Sequence, residues 1–138
     1  MKIAVIDGLG GGLGCQIIDG LKKQLNGSFE IIALATNSQA VSRMIKAGAD
    51  TGASGENAIR VTSAKVDIII GPLGIIIPNS MWGEITPGMA EAILGSSSEK
   101  FILGLKQPHV ELIGLKEENS INDLIEEVLE RVAEFINN

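Results

Sequence analysis

The sequence predicts a three-layer α/β domain with a mainly parallel sheet and an antiparallel hairpin at one edge near the carboxyl terminus. Three observations lead there. Apolar runs such as Ile3–Ile6, Ile31–Ala35 and Ile68–Ile70 alternate with stretches whose apolar residues recur at helical spacing. That is the pattern of strands buried on both faces and covered by helices. The first run passes straight into a loop carrying Gly8, Gly10, Gly11, Gly12 and Gly14. Finally, Ile102-Leu103-Gly104-Leu105-Lys106-Gln107 is echoed by Leu112-Ile113-Gly114-Leu115-Lys116-Glu117. The copies are too close for a crossover helix, so they read as two strands joined at Gln107-Pro108-His109.

The elements follow in order. Lys2–Asp7 is a strand, the glycines a tight turn, and Leu13, Ile17, Ile18, Leu21 and Leu25 the apolar stripe of a first helix. Glu30–Thr36 is a second buried strand. Asn37 and Ser38 form the turn, with Ser38 capping a helix through Val41, Met44 and Ile45 that stops at Gly48. Ala49–Ser54 is small and polar, a very short strand or a loop. A helix follows Gly55-Glu56-Asn57 through Ile59 and Val61 to Ala64, and Val66–Ile70 is the clearest strand. This is half of a doubly wound fold. Gly71–Gly88 is apolar but punctuated by proline and glycine. It leaves the carboxyl end of the fourth strand, beside the glycine loop. Thr86-Pro87 opens a helix, with Thr as cap and Pro at the first position. The last helix starts at Ser120, with Asp123 completing a capping arrangement, and carries its stripe from Ile121 to Ile136.

At 138 residues the chain is one domain, 1–138, large enough for a continuous core. A net charge of −6, one Trp, three Phe and no Tyr argue against nucleic acid, whose readers need basic surface and stacking aromatics. Late acidic residues such as Glu126, Glu127, Glu130 and Glu134 form a solvated helix face. A single cysteine excludes an internal disulfide and suits a reducing compartment. No signal peptide or membrane-length apolar run is present. The expectation is a cytoplasmic protein without a membrane partner.

The glycine turn suggests a ligand. Glycines allow positive φ and close approach to the backbone, and the amides and dipole of a helix start attract an anion. The dinucleotide pattern Gly-x-Gly-x-x-Gly fails in both registers, ending on Leu13 or Cys15. Gly8, Gly11 and Gly14 do match the Gly-x-x-Gly-x-x-Gly of short-chain-dehydrogenase-like proteins. No Lys-Ser or Lys-Thr follows, which excludes a Walker A loop. The predicted site therefore comprises Asp7, Gly8, Gly10, Gly11, Gly12, Leu13 and Gly14 around the phosphate. Thr36, Asn37, Ser38, Gly71 and Pro72 surround the rest of the ligand.

The end of the second strand departs from the dinucleotide pattern. An acid there would bond the ribose of NAD, and an Arg would suit NADP. This chain has Thr36-Asn37-Ser38, with Arg43 farther along the helix. The short-chain dehydrogenases' Tyr-x-x-x-Lys pair is absent too, since there is no tyrosine. NAD or NADP stays the expected cofactor class, with other phosphorylated ligands open.

Each chemical candidate has a plainer alternative. Asp7 suits a ribose contact or an Asp-Gly turn. Cys15 stands near a helix start that can activate a thiol, yet has no base nearby, and packing under the loop is the alternative. His109 is the only histidine and lacks zinc partners, so no metal site is expected. Lys106 could meet a phosphate or only solvent. Glu56 and Glu84 are acid/base candidates with no partner in sequence. Ile75–Ile77, Met81 and Trp82 cover the core or a subunit boundary.

Val5–Gly14, Gly55-Glu56-Asn57, Gly71-Pro72-x-Gly-Ile-Ile-Ile and Glu84-x-Thr-Pro-x-Met-Ala-Glu together resemble a small bacterial family known as a domain of unknown function. The resemblance covers essentially the whole chain. It implies a Rossmann-like fold and brings no activity or catalytic residue. The expected function is a small nucleotide- or dinucleotide-binding protein acting as a homodimer or higher homo-oligomer. The alternatives are a non-catalytic assembly protein with a structural glycine turn, and an oxidoreductase-like enzyme whose site a partner completes.

Overall fold

A computed structural model describes residues 1–115 and 119–138. Among these residues five strands form one sheet: β1 (Lys2–Asp7), β2 (Glu30–Ala35), β3 (Thr51–Ser54), β4 (Ile68–Pro72) and β5 (Glu99–Leu103). Their order is β3-β2-β1-β4-β5 and every pairing is parallel. The helices are α1 (Gly12–Gln24), α2 (Ser38–Lys46), α3 (Glu56–Ser63), α4 (Pro87–Gly95) and α5 (Ile121–Asn137), with a 3-10 turn at Leu73–Ile76.

The strands are continuously apolar because both faces are covered. Ile3, Val5, Ile31, Ala33, Ile68 and Ile70 face Ile17, Ile18 and Leu21 of α1, Met44 of α2, and Val128 and Leu129 of α5. The alternate residues Ala4, Ile6, Ile32, Leu34 and Ile69 face Ile59 of α3 and Met89 and Ile93 of α4, with Ile75 and Ile85. The period of two in a strand divides its residues between two cores. From β1 the chain winds outward through β2 to β3, then crosses to β4 and β5 on the other side. The carboxyl ends of β1 and β4 therefore part at the point where strand order reverses, the place where such sheets bind ligands.

The antiparallel edge hairpin expected at 102–117 does not form. Its first half is the end of β5, which starts at Glu99 and pairs in parallel with β4 from Ile68↔Glu99 to Pro72↔Leu103. The strand is reached through α4, and a crossover of that kind delivers a parallel neighbour. After Leu103 the chain leaves the sheet, and a lone antiparallel bridge, Gln107↔Val110, closes the intervening turn. Among the described residues the second copy does not pair beside the first. Leu115 instead packs on Gly104, where a β-carbon would lie 2.5 Å from its Cδ1. Lys116, Glu117 and Glu118 lie outside the described residues.

Smaller expectations resolve too. Residues 51–54 are a strand rather than a loop. The cap of α2 is Asn37, not Ser38: its side chain accepts from the Ala40 amide at 2.9 Å, while Ser38 is the first helical residue. Ser120 and Asp123 do form the capping box of α5.

Candidate functional site

The turn after β1 is built around a buried carboxylate. Asp7 is 5% exposed, and its two oxygens accept from the amides of Gly8 and Gly14, each at 2.8 Å. Gly14 lies in the first turn of α1, so Asp7 itself satisfies one of the helix's free N-terminal donors. Burial pushes the Asp7 carboxyl above its ordinary range. The Gly14 and Gly8 amides pull it back, and the charge of Glu84 pushes it up slightly.

The glycines divide into two kinds. Gly8, Gly11 and Gly14 are closely packed against other parts of the chain. A β-carbon on Gly8 would lie 2.5 Å from the Met81 sulfur, and one on Gly14 would lie 2.8 Å from Met44 Cε. Gly11 caps α1 at φ 74 against Ala40. Gly10 and Gly12 are less closely packed. A β-carbon on Gly10 would meet only the flexible Arg43 guanidinium at 3.1 Å, and one on Gly12 would meet nothing within 4 Å. Neither has positive φ. Both are exposed, and among the described residues the amides of Gly10, Gly12 and Leu13 donate to no protein acceptor.

The β2–α2 turn meets this loop. Asn37 Nδ2 donates to the Leu9 carbonyl at 2.8 Å, and Arg43 donates to the Gly10 carbonyl at 2.8 Å. A third segment joins them from the far side of the sheet switch. Glu84 Oε1 accepts from the Leu9 amide at 3.0 Å, from Asn37 Nδ2 at 3.1 Å and from the Thr36 hydroxyl. The Thr36 hydrogen bond is the main cause holding the Glu84 carboxyl below its ordinary range, with the Leu9 and Asn37 donors adding to it against some desolvation. Glu84 is therefore ionised at neutral pH.

Glu84 is held there by the segment that carries it. Buried Ile75 and Ile85 anchor residues 73–86 to the α3/α4 core. Between them Asn79, Met81, Trp82 and Gly83 take left-handed backbone, and amide bonds such as Asn79 to Ile85 and Glu84 to Met81 close the turn on itself. Met81 covers Gly8, while Trp82 projects fully into solvent at 99% exposure.

A family profile matches residues 2–137. The chain belongs to the domain of unknown function family DUF3842. No curated protein matches the sequence. Among solved structures, the DUF3842 chain is similar to a dodecameric FMN-dependent Ubix-like decarboxylase from Escherichia coli, with TM-score 0.53 and 13% identity over 100% of this chain and 96% of that one. It is also similar to saccharopine dehydrogenase from Saccharomyces cerevisiae, with TM-score 0.50 and 13% identity over 78% of this chain; the match spans only 22% of the dehydrogenase. A nucleoside-diphosphate-sugar epimerase from Pseudomonas aeruginosa aligns with TM-score 0.47 and 16% identity. At these identities the first two likenesses show a Rossmann-like fold alone.

In the DUF3842 chain, then, the glycine turn, Thr36 and Asn37 come together as one cluster. Ser38 is exposed beside it. Gly71 and Pro72 are buried in β4, where a β-carbon on Gly71 would strike the Ile6 carbonyl at 2.5 Å. Cys15 is a half-buried thiol raised chiefly by desolvation, the opposite of activation. Lys106 and His109 stand exposed in the segment after β5. That segment and α5 enclose a separate cavity of about 770 Å³, lined by residues such as Phe101, Leu105, Leu112, Leu124 and Arg131 and by none of the glycine-turn residues. The polar side chains of Lys106, Gln107, Asn119 and Glu127 also line it. Among the described residues no cluster of His, Cys, Asp and Glu is assembled for a metal, and no helix is long and apolar enough to cross a membrane. Sequence reasoning singled out Glu84 without a partner. Its partners are Leu9, Thr36 and Asn37, too distant along the chain for any local pattern to join them.

Proposed function

We propose that this protein binds a nucleotide, of the dinucleotide class that includes NAD and NADP. The phosphate rests on the amides of Gly10, Gly12 and Leu13, and the remainder lies between Thr36-Asn37 and Gly71-Pro72. One observation carries the reading: Gly12 is an exposed glycine with open space at its β-carbon, ordinary helical backbone and a free amide. Nothing inside the protein demands glycine there, whereas a phosphate lying on the amide would. Arg43, held at the Gly10 carbonyl, adds positive charge beside the same donors. Asp7 lies beneath the same turn, its carboxylate accepting from the amides of Gly8 and Gly14.

A thermal-shift panel of NAD, NADP, FMN and adenine nucleotides tests this. A true ligand at a hundred times its Kd stabilises by about 2.7 kcal/mol, or about 10 °C in Tm for a domain of this size. Gly12→Val should abolish the shift and leave the free protein's Tm near wild type. A panel without a shift, or a shift that survives Gly12→Val, refutes the cradle.

The protein also acts as a homo-oligomer in this reading, since Trp82 and Ile113 are 99% and 91% exposed in the single chain. Sizing in solution checks that part independently.

A further inference from the structure

We infer that Glu84 is the ribose-binding carboxylate of this site, and that it selects a nucleotide with free 2′- and 3′-hydroxyls over one carrying a 2′-phosphate. The inference rests on the nucleotide reading above and adds the ligand's subclass. Doubly wound dinucleotide domains place an acid at the carboxyl end of the second strand to accept from ribose hydroxyls. Here β2 ends at Ala35 and is followed by Thr36 and Asn37, neither of them acidic. The carboxylate arrives from another segment instead. The Thr36 hydroxyl, the Asn37 amide nitrogen and the Leu9 amide all donate to Glu84 Oε1, which fixes the group where the β1 loop meets the end of β2.

The two oxygens are used unequally. Oε1 carries all three of these hydrogen bonds, and among the described residues Oε2 accepts none. One oxygen anchors the side chain and the other is left to accept from a ligand. A carboxylate accepts from a vicinal diol but cannot donate, so a ribose fits its chemistry and a phosphate does not. Its negative charge also repels a 2′-phosphate directly. Arg43, a cation of the neighbouring helix, is directed at the Gly10 carbonyl, the phosphate end of the proposed site. The backbone supports a fixed position, since Glu84 donates its amide to the Met81 carbonyl at 3.1 Å and adjoins fully buried Ile85.

Trp82, the only tryptophan, lies two residues away and is almost wholly exposed, so its fluorescence can follow titrations of NAD and NADP into the intact protein. Wild type should bind NAD about tenfold or more tightly than NADP, the effect of one charged hydrogen bond gained or lost. Glu84→Gln keeps an oxygen for the three donors and drops the charge, and should bring the two affinities within about twofold. Thr36→Val releases the anchor and leaves the charge; it should weaken NAD several-fold while NAD stays preferred. Equal affinities in the wild type, or an NAD preference unchanged in Glu84→Gln, overturn the role of Glu84 while the nucleotide reading stands. Tighter binding of both nucleotides by Glu84→Gln also overturns it, by making Glu84 a plug rather than a contact. If neither nucleotide binds the wild type, the nucleotide reading falls and this inference with it. The wild-type ratio alone decides selection should a variant fail to fold.

Discussion

Two adjacent glycines, Gly11 and Gly12, should respond to the same substitution with opposite sign. At Gly11 the backbone has φ 74, and an added β-carbon would stand 3.1–3.2 Å from Ala40 Cβ, Cα and O. The left-handed conformation costs an alanine about 1–2 kcal/mol. Two of the three crowded atoms are backbone, which cannot step aside as a side chain can, and relieving them by shifting α2 adds about 1–2 kcal/mol. Gly11→Ala should therefore destabilise by about 2–4 kcal/mol, or about 8–15 °C in Tm for a chain of this length. At Gly12 there is no contact within 4 Å and the backbone is already helical. Alanine restricts the unfolded chain there without straining the folded one, a gain of about 0.4–1 kcal/mol. Urea melts of the two variants beside wild type measure the difference, with equal m-values required so that the midpoints report stability. Gly12→Ala losing as much as Gly11→Ala, or Gly11→Ala melting like wild type, would refute this division of the turn. The first result would also remove the argument that Gly12 is glycine for a ligand's sake.

The buried carboxylate offers a second test. Asp7→Ala leaves two amides without their acceptor, at about 1–3 kcal/mol each, offset in part by the desolvation no longer incurred. A net loss of about 2–4 kcal/mol in urea melts is expected, and a neutral result would show that Asp7 does not hold the turn. Third, the two carboxylates should leave opposite signatures in stability against pH. Glu84 has a folded pKa below its ordinary 4.5, so its contribution is present above 4.5 and is lost as pH falls below that value. Asp7 has a folded pKa above its ordinary 3.8, so stability declines as pH rises from 3.8 through the raised value and is level beyond it. Melts from pH 3 to 7 should thus show the gap between wild type and Glu84→Gln closing in acid. The advantage of wild type over Asp7→Ala should widen between neutrality and pH 3.8. Parallel curves for the two pairs would contradict both assignments.

Much of the architecture is local information. Ile3–Ile6, Ile31–Ala35 and Ile68–Ile70 declare doubly buried strands because apolarity without alternation has no other economical use in segments this short. The helical stripes, the Thr86-Pro87 start and the Ser120/Asp123 cap are likewise visible over a few residues, since capping and amphipathicity act over one or two turns. From these, the βαβ order and the position of the glycine turn at the ligand edge follow by handedness and topology.

What the local pattern misread was the segment after α4. The echo of Ile102-Leu103-Gly104 in Leu112-Ile113-Gly114 is genuine in sequence, but two apolar triplets carry no record of which neighbour each will meet. β4 offered the first copy a parallel edge from Glu99 onward, while Leu115 found its place on Gly104. By itself the sequence determined the strands β1, β2 and β4, the helices and the presence of a glycine turn, because these are set by hydrogen bonding and apolar spacing within a few residues. Only the tertiary structure decided which glycines serve packing and which present a bare amide, since that depends on Met81, Ala40 and Met44 arriving from elsewhere in the chain. It also brought the Glu84 carboxylate to the end of β2, where the sequence has no acid. A hydrogen bond constrains position in space, and the folded chain brings Glu84 to Thr36 whatever the number of residues between them.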